Sequence, residues 1–181
     1  MKIKIVSIIV LTLIVLGFST CKQDEILSQD FDVVLYQDIT VNNPNDSIFT
    51  GAQLLDAAAQ SSDFDKYKDH IEDISLTKIT YFLTAFNGPA DQQLLNGAID
   101  IADTSGINRI NLTSMTNAGL ASLLNNETEL TLNQPAVTWL NNRVKYTPHA
   151  IKVYFSGNVN KKPLDFTIKI RYYLKMKVSI L

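Results

Sequence analysis

Few side chains in this sequence can support metal binding or nucleophilic catalysis. The chain of 181 residues contains one cysteine, Cys21, and two histidines, His70 and His149. Zinc and copper sites usually draw on several histidines or cysteines. His70 stands between acidic neighbours near an expected helix end, and His149 follows a proline in a loop, so we expect two ordinary surface histidines. The sequence therefore predicts no metal site and no bound cofactor.

Carboxylates leave a second route to catalysis, because glycoside hydrolysis needs two acids and has no local sequence signature. Asp100 and Asp103 flank the end of an expected strand, although aspartates that form a turn or face solvent are more common. The segment 42–46 offers oxygen ligands of the kind that calcium prefers, but it lacks the spaced acids of an EF-hand. Its asparagines and aspartate instead predict a turn stabilised by their own side chains.

The signatures of several large enzyme classes are absent. The sequence contains no G-x-S-x-G, no G-x-G-x-x-G and no G-x-x-x-x-G-K-[ST], and its seven glycines are scattered. A non-enzymatic role is therefore favoured over an enzymatic one.

A row of basic and aromatic side chains marks the C-terminal segment. Because they alternate with apolar residues, five of them would share the wet face of one strand: Lys169, Arg171, Tyr173, Lys175 and Lys177. With Tyr154 expected nearby, this row is a candidate face for an anionic glycan or a partner protein. The structural alternative is that lysines on an exposed or edge strand prevent aggregation between sheets.

The N-terminus has the layout of an export signal. Lys2 and Lys4 precede an apolar run from Ile5 to Gly17, and small residues lead from there to Cys21. The run is shorter than the roughly 20 apolar residues of a membrane-spanning helix, and polar residues follow it. Residues 1–20 are therefore predicted to be a signal peptide, and a retained transmembrane anchor is the weaker interpretation.

The residues around the expected cleavage point resemble a lipobox, the signal peptidase II site of bacterial lipoproteins. Ser19 and Thr20 fit the small positions before Cys21, whereas Phe18 replaces the usual leucine. Relaxed boxes of this kind are similar to those of Bacteroidetes-type lipoproteins, and the segment 22–25 resembles the lysine-plus-acid tag that directs that group to the cell surface. The resemblance implies lipid such as palmitate on Cys21 and an outer-membrane location, with a periplasm-facing anchor as the alternative.

Charge gives no sign of a nucleic-acid partner. The chain has 18 acidic and 16 basic residues, and loss of residues 1–20 would remove Lys2 and Lys4 and leave a net charge near −4. Such a chain has no global attraction to nucleic acid or anionic lipid. The expected partners are the membrane, through the N-terminal lipid, and an envelope protein or a glycan.

Alternating hydrophobicity predicts a mainly β or α+β domain. Strands are expected near residues 31–41, 74–85, 95–101, 107–112, 128–132, 151–156 and 164–180. A change of phase near Thr77 and Lys78 predicts a β-bulge. Because only a short turn separates the last two strands, we expect them to pair as a long C-terminal β-hairpin.

Two to four short helices are expected between the strands. Thr50 with Gln53, and Ser62 with Asp65, resemble capping boxes that would open helices at 50–59 and from 62 onwards. A third could cover 117–124, and a fourth would start after Asn133, where a proline follows.

These elements predict a signal peptide at 1–20, a lipidated cysteine with a polar tether at 21–30, and a single β-rich domain at 31–181. The domain is expected to be an antiparallel sheet or a β-sandwich with helices on a face or end.

The predicted function is that of a membrane-anchored, non-enzymatic binding or envelope-complex accessory module. One alternative is a small glycan-directed surface hydrolase, for which a deep cleft would hold two carboxylates about 5–10 Å apart. Another is a subunit that pairs through a sheet edge, for which the last strand would have an uncovered edge. A shallow face with exposed tyrosines would favour the binding module.

Overall fold

A computed structural model describes residues 27–180, which form eight strands and three α-helices. The strands are β1 (Leu27–Asn43), β2 (Ile48–Asp56), β3 (Ile71–Phe86), β4 (Gln93–Ala102), β5 (Ile110–Gly119), β6 (Thr128–Glu129), β7 (Ala150–Val159) and β8 (Leu164–Ile180). The helices are α1 (Ala57–Gln60), α2 (Ser62–Tyr67) and α3 (Gln134–Lys145), with 3-10 turns at Lys68–His70 and Ala121–Leu123.

The strands form two antiparallel sheets of four. Sheet A has the order β1-β8-β3-β6, and sheet B has the order β2-β7-β4-β5. The two sheets share one hydrophobic core, to which every strand except the short β6 contributes buried side chains. This strand order defines an eight-stranded jelly roll, which is a form of β-sandwich. The predicted fold class, a mainly β antiparallel sandwich with two to four short helices, is confirmed.

The long strands β1 and β8 pair along their whole length, from Leu27 opposite Ile180 to Asn43 opposite Leu164. Apolar and polar residues alternate on both, so one face of the pair is buried and the other is wet. β1 begins four residues before the expected start at residue 31, because residues 27–30 continue the ladder with β8. Those four residues therefore belong to the sheet and not to the tether.

The predicted bulge in β3 is confirmed. The register of β3 against β8 shifts between Leu76 and Lys78. Ile74 and Leu76 face the core before the shift, and Ile79 faces it afterwards. A one-residue bulge reverses which parity points inward, so it keeps apolar side chains buried on both sides of the irregularity.

The predicted C-terminal hairpin is wrong, because β7 and β8 lie in different sheets. β8 has β1 on one side and β3 on the other, which leaves no edge for β7. Residues 160–163 cross between the sheets, and the buried amide of Gln92 holds this crossing by donating to the carbonyl oxygens of Lys161 and Pro163, the latter at 2.9 Å. A short turn after a strand can therefore join two layers as well as two neighbours.

Two predicted helices are also wrong. Most of 50–59 is β2, which pairs with β7 along its length and buries Phe49 and Leu55, and only Ala57–Gln60 is helical. Most of 117–124 is the end of β5 followed by a 3-10 turn. In both segments, pairing with a distant strand outweighs a local signal for a helix.

The other two predicted helices are present. Ser61, one residue before the expected start, caps α2 by accepting a hydrogen bond from Phe64 N at 3.2 Å. Asn133 is the N-cap residue of α3, whose buried residues Val137, Leu140 and Val144 join the core. These helices close gaps at the margin of the sandwich and leave the outer faces of both sheets for other roles.

Candidate functional site

The predicted lipidation residue, Cys21, lies outside residues 27–180, and so does the predicted signal peptide. Within the described range, no helix is long and apolar enough to cross a membrane. The folded domain offers two candidate surfaces, namely the outer faces of sheets A and B.

The predicted basic and aromatic row lies on the outer face of sheet A. Its five residues alternate with buried neighbours such as Ile170 and Leu174, as the sequence pattern requires. Because β8 is an inner strand, it has no free edge for a partner strand. The sheet edges belong to β1 and β6 in sheet A and to β2 and β5 in sheet B.

The basic row faces a matching acidic row. Lys169 Nζ lies 3.4 Å from Asp38 Oδ1. Three acid–lysine pairs stand opposite each other in the register of β1 and β8: Asp30 with Lys177, Asp32 with Lys175, and Asp38 with Lys169. Opposite charges on adjacent strands stabilise their register. Since each of these lysines faces a carboxylate, the geometry favours a structural role for the row over attraction of an anionic glycan.

Glu127 neutralises the middle of the same face. Its carboxylate accepts hydrogen bonds from the Thr80 hydroxyl, from Tyr173 OH at 2.9 Å and from Arg171 Nη1 at 3.0 Å. The bond from Thr80, then the bond from Tyr173 and the charges of Arg171 and Lys78, lower the pKa of Glu127 below its usual value. The carboxylate is therefore held in its charged form as the counter-ion of Arg171.

The aromatic residues near this row are not grouped as expected. Lys78 Nζ lies 4.4 Å from the centroid of the Tyr173 ring, so a cation already covers one ring face. Tyr36, which is 50% exposed, accompanies the row from β1. Tyr154 lies in β7 on the opposite sheet, so its predicted position beside the row is wrong for the same reason as the hairpin.

The outer face of sheet B carries a different cluster around Tyr154. Arg109 donates to Asp100 Oδ2 from Nε at 2.9 Å and from Nη2 at 2.7 Å. Asn111 Nδ2 donates to Asp100 Oδ1 at 2.8 Å, and the Arg109 guanidinium lies 4.1 Å from the centroid of the Tyr154 ring. The four side chains form a rigid group in which the charges of Arg109 and Asp100 compensate each other.

Beside this cluster, short polar side chains form a shallow depression across all four strands of sheet B. Thr50 pairs with Ser156, Ser156 with Ala98, and Ala98 with Ser114, so these four residues lie in one transverse row. Asn158 and Asn96 occupy the next row. The six residues define what we call the sheet-B trough: Thr50, Asn96, Ala98, Ser114, Ser156 and Asn158. The cleft above them has a volume of about 470 Å³, and no charged side chain lines it among residues 27–180.

No pattern in the sequence predicted the sheet-B trough. Its residues come from four strands and are separated by up to 108 positions, from Thr50 to Asn158. Only the strand order and register bring them together. The one local signal was the outward parity of each polar residue, and such residues are common on any wet strand.

The two carboxylates considered for catalysis are engaged by their own loop. Asp100 is held by Arg109 and Asn111, as described above. Asp103 accepts from Ser105 Oγ at 2.6 Å and from Ile107 N at 2.8 Å. The bond from Ser105 in particular lowers the pKa of Asp103. Asp103 thus organises a turn, which is the expected structural interpretation.

The histidines differ from each other in burial. His70 is exposed, as predicted. His149 is buried, so the prediction that it is a surface residue is wrong. His149 Nδ1 lies 2.9 Å from the carbonyl oxygen of Val144, and its ring meets Phe64 edge-on at 5.6 Å between centroids. His149 also has a left-handed φ of 59°. It therefore links the end of α3 to α2 as a packing residue.

The segment 42–46 is a turn in which side chains bind the local backbone. Asp46 Oδ1 accepts from the backbone N of Ser47 and of Ile48 at 2.7 and 3.0 Å, and Asn43 Oδ1 accepts from Asn45 N at 3.1 Å. These bonds occupy oxygens that calcium would need. Across residues 27–180, no group of three or more His, Cys, Asp or Glu side chains is placed to hold a metal ion.

No protein-family model and no curated protein matches the sequence. Among solved structures, the chain is similar to Desmodium yellow mottle tymovirus at 9% identity and a TM-score of 0.38, covering 84% of this chain and 90% of that chain. It is also similar to turnip yellow mosaic virus at 13% identity and a TM-score of 0.37, covering 84% of this chain and 96% of that chain. The similarity to a capsid of a Helicobacter pylori bacteriophage is 11% identity and a TM-score of 0.37, covering 85% of this chain and 100% of that chain. Likeness this distant supports no functional assignment, and the fold described above is defined by its own strand order.

Proposed function

We propose that this protein is an exported lipoprotein, anchored in the outer membrane through lipid on Cys21, whose β-sandwich acts as a non-enzymatic binding or envelope-complex accessory module. The observation that carries the proposal is the position of the one cysteine of the sequence, directly after the predicted export signal and within a lipobox-like segment. Several acyl chains on one residue make such an anchor stable without any membrane-binding surface on the domain.

The start of β1 is compatible with an anchored domain. Leu27 follows Cys21 by six residues, so an extended connection would reach roughly 20 Å. The lipid would hold the end of the sandwich that carries Leu27 and Ile180 close to the bilayer. The lysine and acids that follow Cys21 support display at the cell surface.

The side-chain geometry supports binding more than catalysis. Asp100 and Asp103, the acids considered for glycan hydrolysis, are committed to an ion pair and to a turn. The two outer sheet faces, by contrast, present ordered polar side chains on rigid strands. Rigid, pre-organised surfaces lower the entropic cost of binding.

Replacement of Cys21 by serine tests the anchor. We expect Cys21→Ser to incorporate no labelled palmitate and to leave the membrane fraction, because the thiol that would carry the lipid is absent. Metabolic labelling and fractionation of cells that express the full chain measure both effects.

A matched variant separates the cysteine from the rest of the lipobox. Ser19→Ala keeps a small residue before the cleavage point, so its lipid content and membrane fraction should equal those of the wild type. If Cys21→Ser retains the same labelled lipid and the same membrane fraction as the wild type, the lipoprotein assignment is wrong.

A further inference from the structure

The sheet-B trough has features of a ligand-binding site that an ordinary solvent-exposed sheet face lacks. Its volume of about 470 Å³ lies within the range of roughly 300–1,000 Å³ typical of small-molecule sites. Its central row is made of short side chains, so a ligand can approach the backbone of all four strands. Thr50, Ser114 and Asn96 are exposed, whereas Ser156 and Asn158, on the inner strand β7, are half-buried.

The trough is uncharged, and hydroxyl and amide groups stand along a surface that is otherwise mostly apolar. Hydroxyls and side-chain amides both donate and accept, so they match the hydroxyl groups of a sugar. The Oδ1 atom of Asn158 is buried and has no hydrogen-bond partner among the described residues. Such an acceptor is costly to leave unpaired, and a ligand hydroxyl that reached it would supply the missing donor.

Apolar contact is available at the rim. Ile48 stands opposite Asn158 in the strand register and is 59% exposed. A side chain of this kind can pack against the C–H face of a sugar ring. Beyond the row that contains Ala98 and Ser156, Asp100 and Arg109 present planar polar groups whose charges compensate each other.

Other classes of ligand fit this surface less well. An anionic ligand would need cations, and no charged side chain of residues 27–180 lines the trough. A protein partner would need aromatic or arginine anchors in an apolar centre. Among residues 27–180, Phe49 is the one aromatic residue in the lining, and its side chain is buried in the core.

We propose that the sheet-B trough binds a neutral oligosaccharide, an inference that deepens the proposed function and rests on it. Thr50, Ser114, Ser156 and the two asparagines hydrogen-bond the sugar hydroxyls, and Ile48 packs on one ring. The trough lies well away from the proposed anchor. Gly51, which follows Thr50, lies beside Ile39, since a Cβ at Gly51 would be 3.6 Å from the Ile39 side chain, and Ile39 is twelve residues and about 40 Å along β1 from Leu27. A surface glycan can therefore reach it.

The test uses the full chain in detergent micelles on an array of immobilised neutral glucans, mannans, xylans and galactans, with heparin and polygalacturonate as anionic probes. We expect at least one neutral glycan to bind and both anionic probes to bind more weakly. Ser114→Arg should weaken the neutral interaction by roughly tenfold or more, because the long side chain fills the trough and displaces hydrogen bonds.

Two further variants keep the test independent of folding defects. Thr116→Arg, exposed beside Asn96 in the same face, should have the same effect as Ser114→Arg. Thr84→Arg, at an exposed threonine on sheet A, should bind as the wild type does. Circular dichroism and thermal unfolding of each variant establish that it is folded.

Three results would overturn the inference: no neutral glycan binds, an anionic probe binds best, or folded Ser114→Arg and Thr116→Arg bind normally. Capture of an envelope protein that Ser114→Arg abolishes, without any glycan binding, would assign the trough to a protein partner instead. A lipidated, membrane-bound wild type that binds no glycan refutes this inference alone. Glycan binding by a wild type that carries no lipid refutes the proposed anchor alone.

Discussion

Among the glycines in the strands of sheet B, Gly157 has the least room for a side chain. A Cβ atom at this position would lie 2.6 Å from the backbone oxygen of Asn96 and 2.6 Å from Cζ of Phe49. Phe49 in turn packs against Phe155 of sheet B and Phe166 of sheet A, with ring centroids 5.1 and 5.4 Å apart. The glycine thus allows an aromatic contact between the sheets to form beneath the sheet-B trough.

We expect Gly157→Ala to destabilise the protein by about 1–3 kcal/mol, because neither the Asn96 backbone nor the packed ring can move without cost. Urea unfolding followed by fluorescence measures the change. Gly51→Ala is the matched control on the neighbouring strand, since its Cβ would meet Ile39 at an ordinary 3.6 Å. Equal stability of the two variants would show that the close approach at Gly157 has no energetic weight.

At the scale of elements, the charge pairs between β1 and β8 specify register in addition to the buried apolar residues. Asp38→Lys would place a second lysine directly opposite Lys169, and like charges on adjacent strands repel. We expect a loss of roughly 1 kcal/mol in low salt that shrinks as salt screens the repulsion. Thermal or urea unfolding at two ionic strengths measures it.

Two further variants identify the cause of this loss. Asn42→Lys introduces the same side chain on the same strand but opposite Asp165, so it should cost nothing. The double variant Asp38→Lys with Lys169→Asp restores opposite charges and should recover most of the stability. If the double variant is no more stable than Asp38→Lys, the charge pairs between β1 and β8 do not contribute to register.

Elements with a strong local pattern could be predicted from the sequence. Strict alternation identified β8, and a change of phase located the bulge beside Lys78. The predictions of a helix at 50–59 and of a C-terminal hairpin were wrong because strand order determines the structure of these segments. Thr50 pairs with Ser156, and β8 lies between β1 and β3, contacts that no local window contains.

The candidate sites show the same division. The row from Lys169 to Lys177 lies on one strand, so the sequence revealed it, although not the aspartates that compensate it. The sheet-B trough is assembled from four strands and has no local signature. Surfaces made within one element can be read from a sequence, whereas surfaces made by register require the fold.

For the whole molecule, charge and the length of β1 together predict how the domain would stand on a membrane if it is anchored as proposed. β1 is 17 residues long and so spans roughly 55 Å, with Leu27 at one end and the turn after Asn43 at the other. Without residues 1–20, the proposed signal peptide, the chain would have 14 basic and 18 acidic residues, so an anionic bilayer would not attract its sides. We therefore expect the sandwich to stand away from the bilayer, with its Leu27 end nearest the lipid.

Energy transfer to a lipid-bound acceptor tests this orientation in vesicles that hold the lipidated full chain. Because lipid would occupy Cys21, a cysteine introduced elsewhere would be the only free thiol for a donor dye. A dye at Ser28→Cys should transfer efficiently, and a dye at Asn45→Cys, at the opposite end of β1, should transfer several-fold less. The same labels on Cys21→Ser protein, which lacks the anchor, should give little transfer from either position. Equal transfer from both labels on the lipidated chain would mean that the domain lies flat on the bilayer, and the upright arrangement would be wrong.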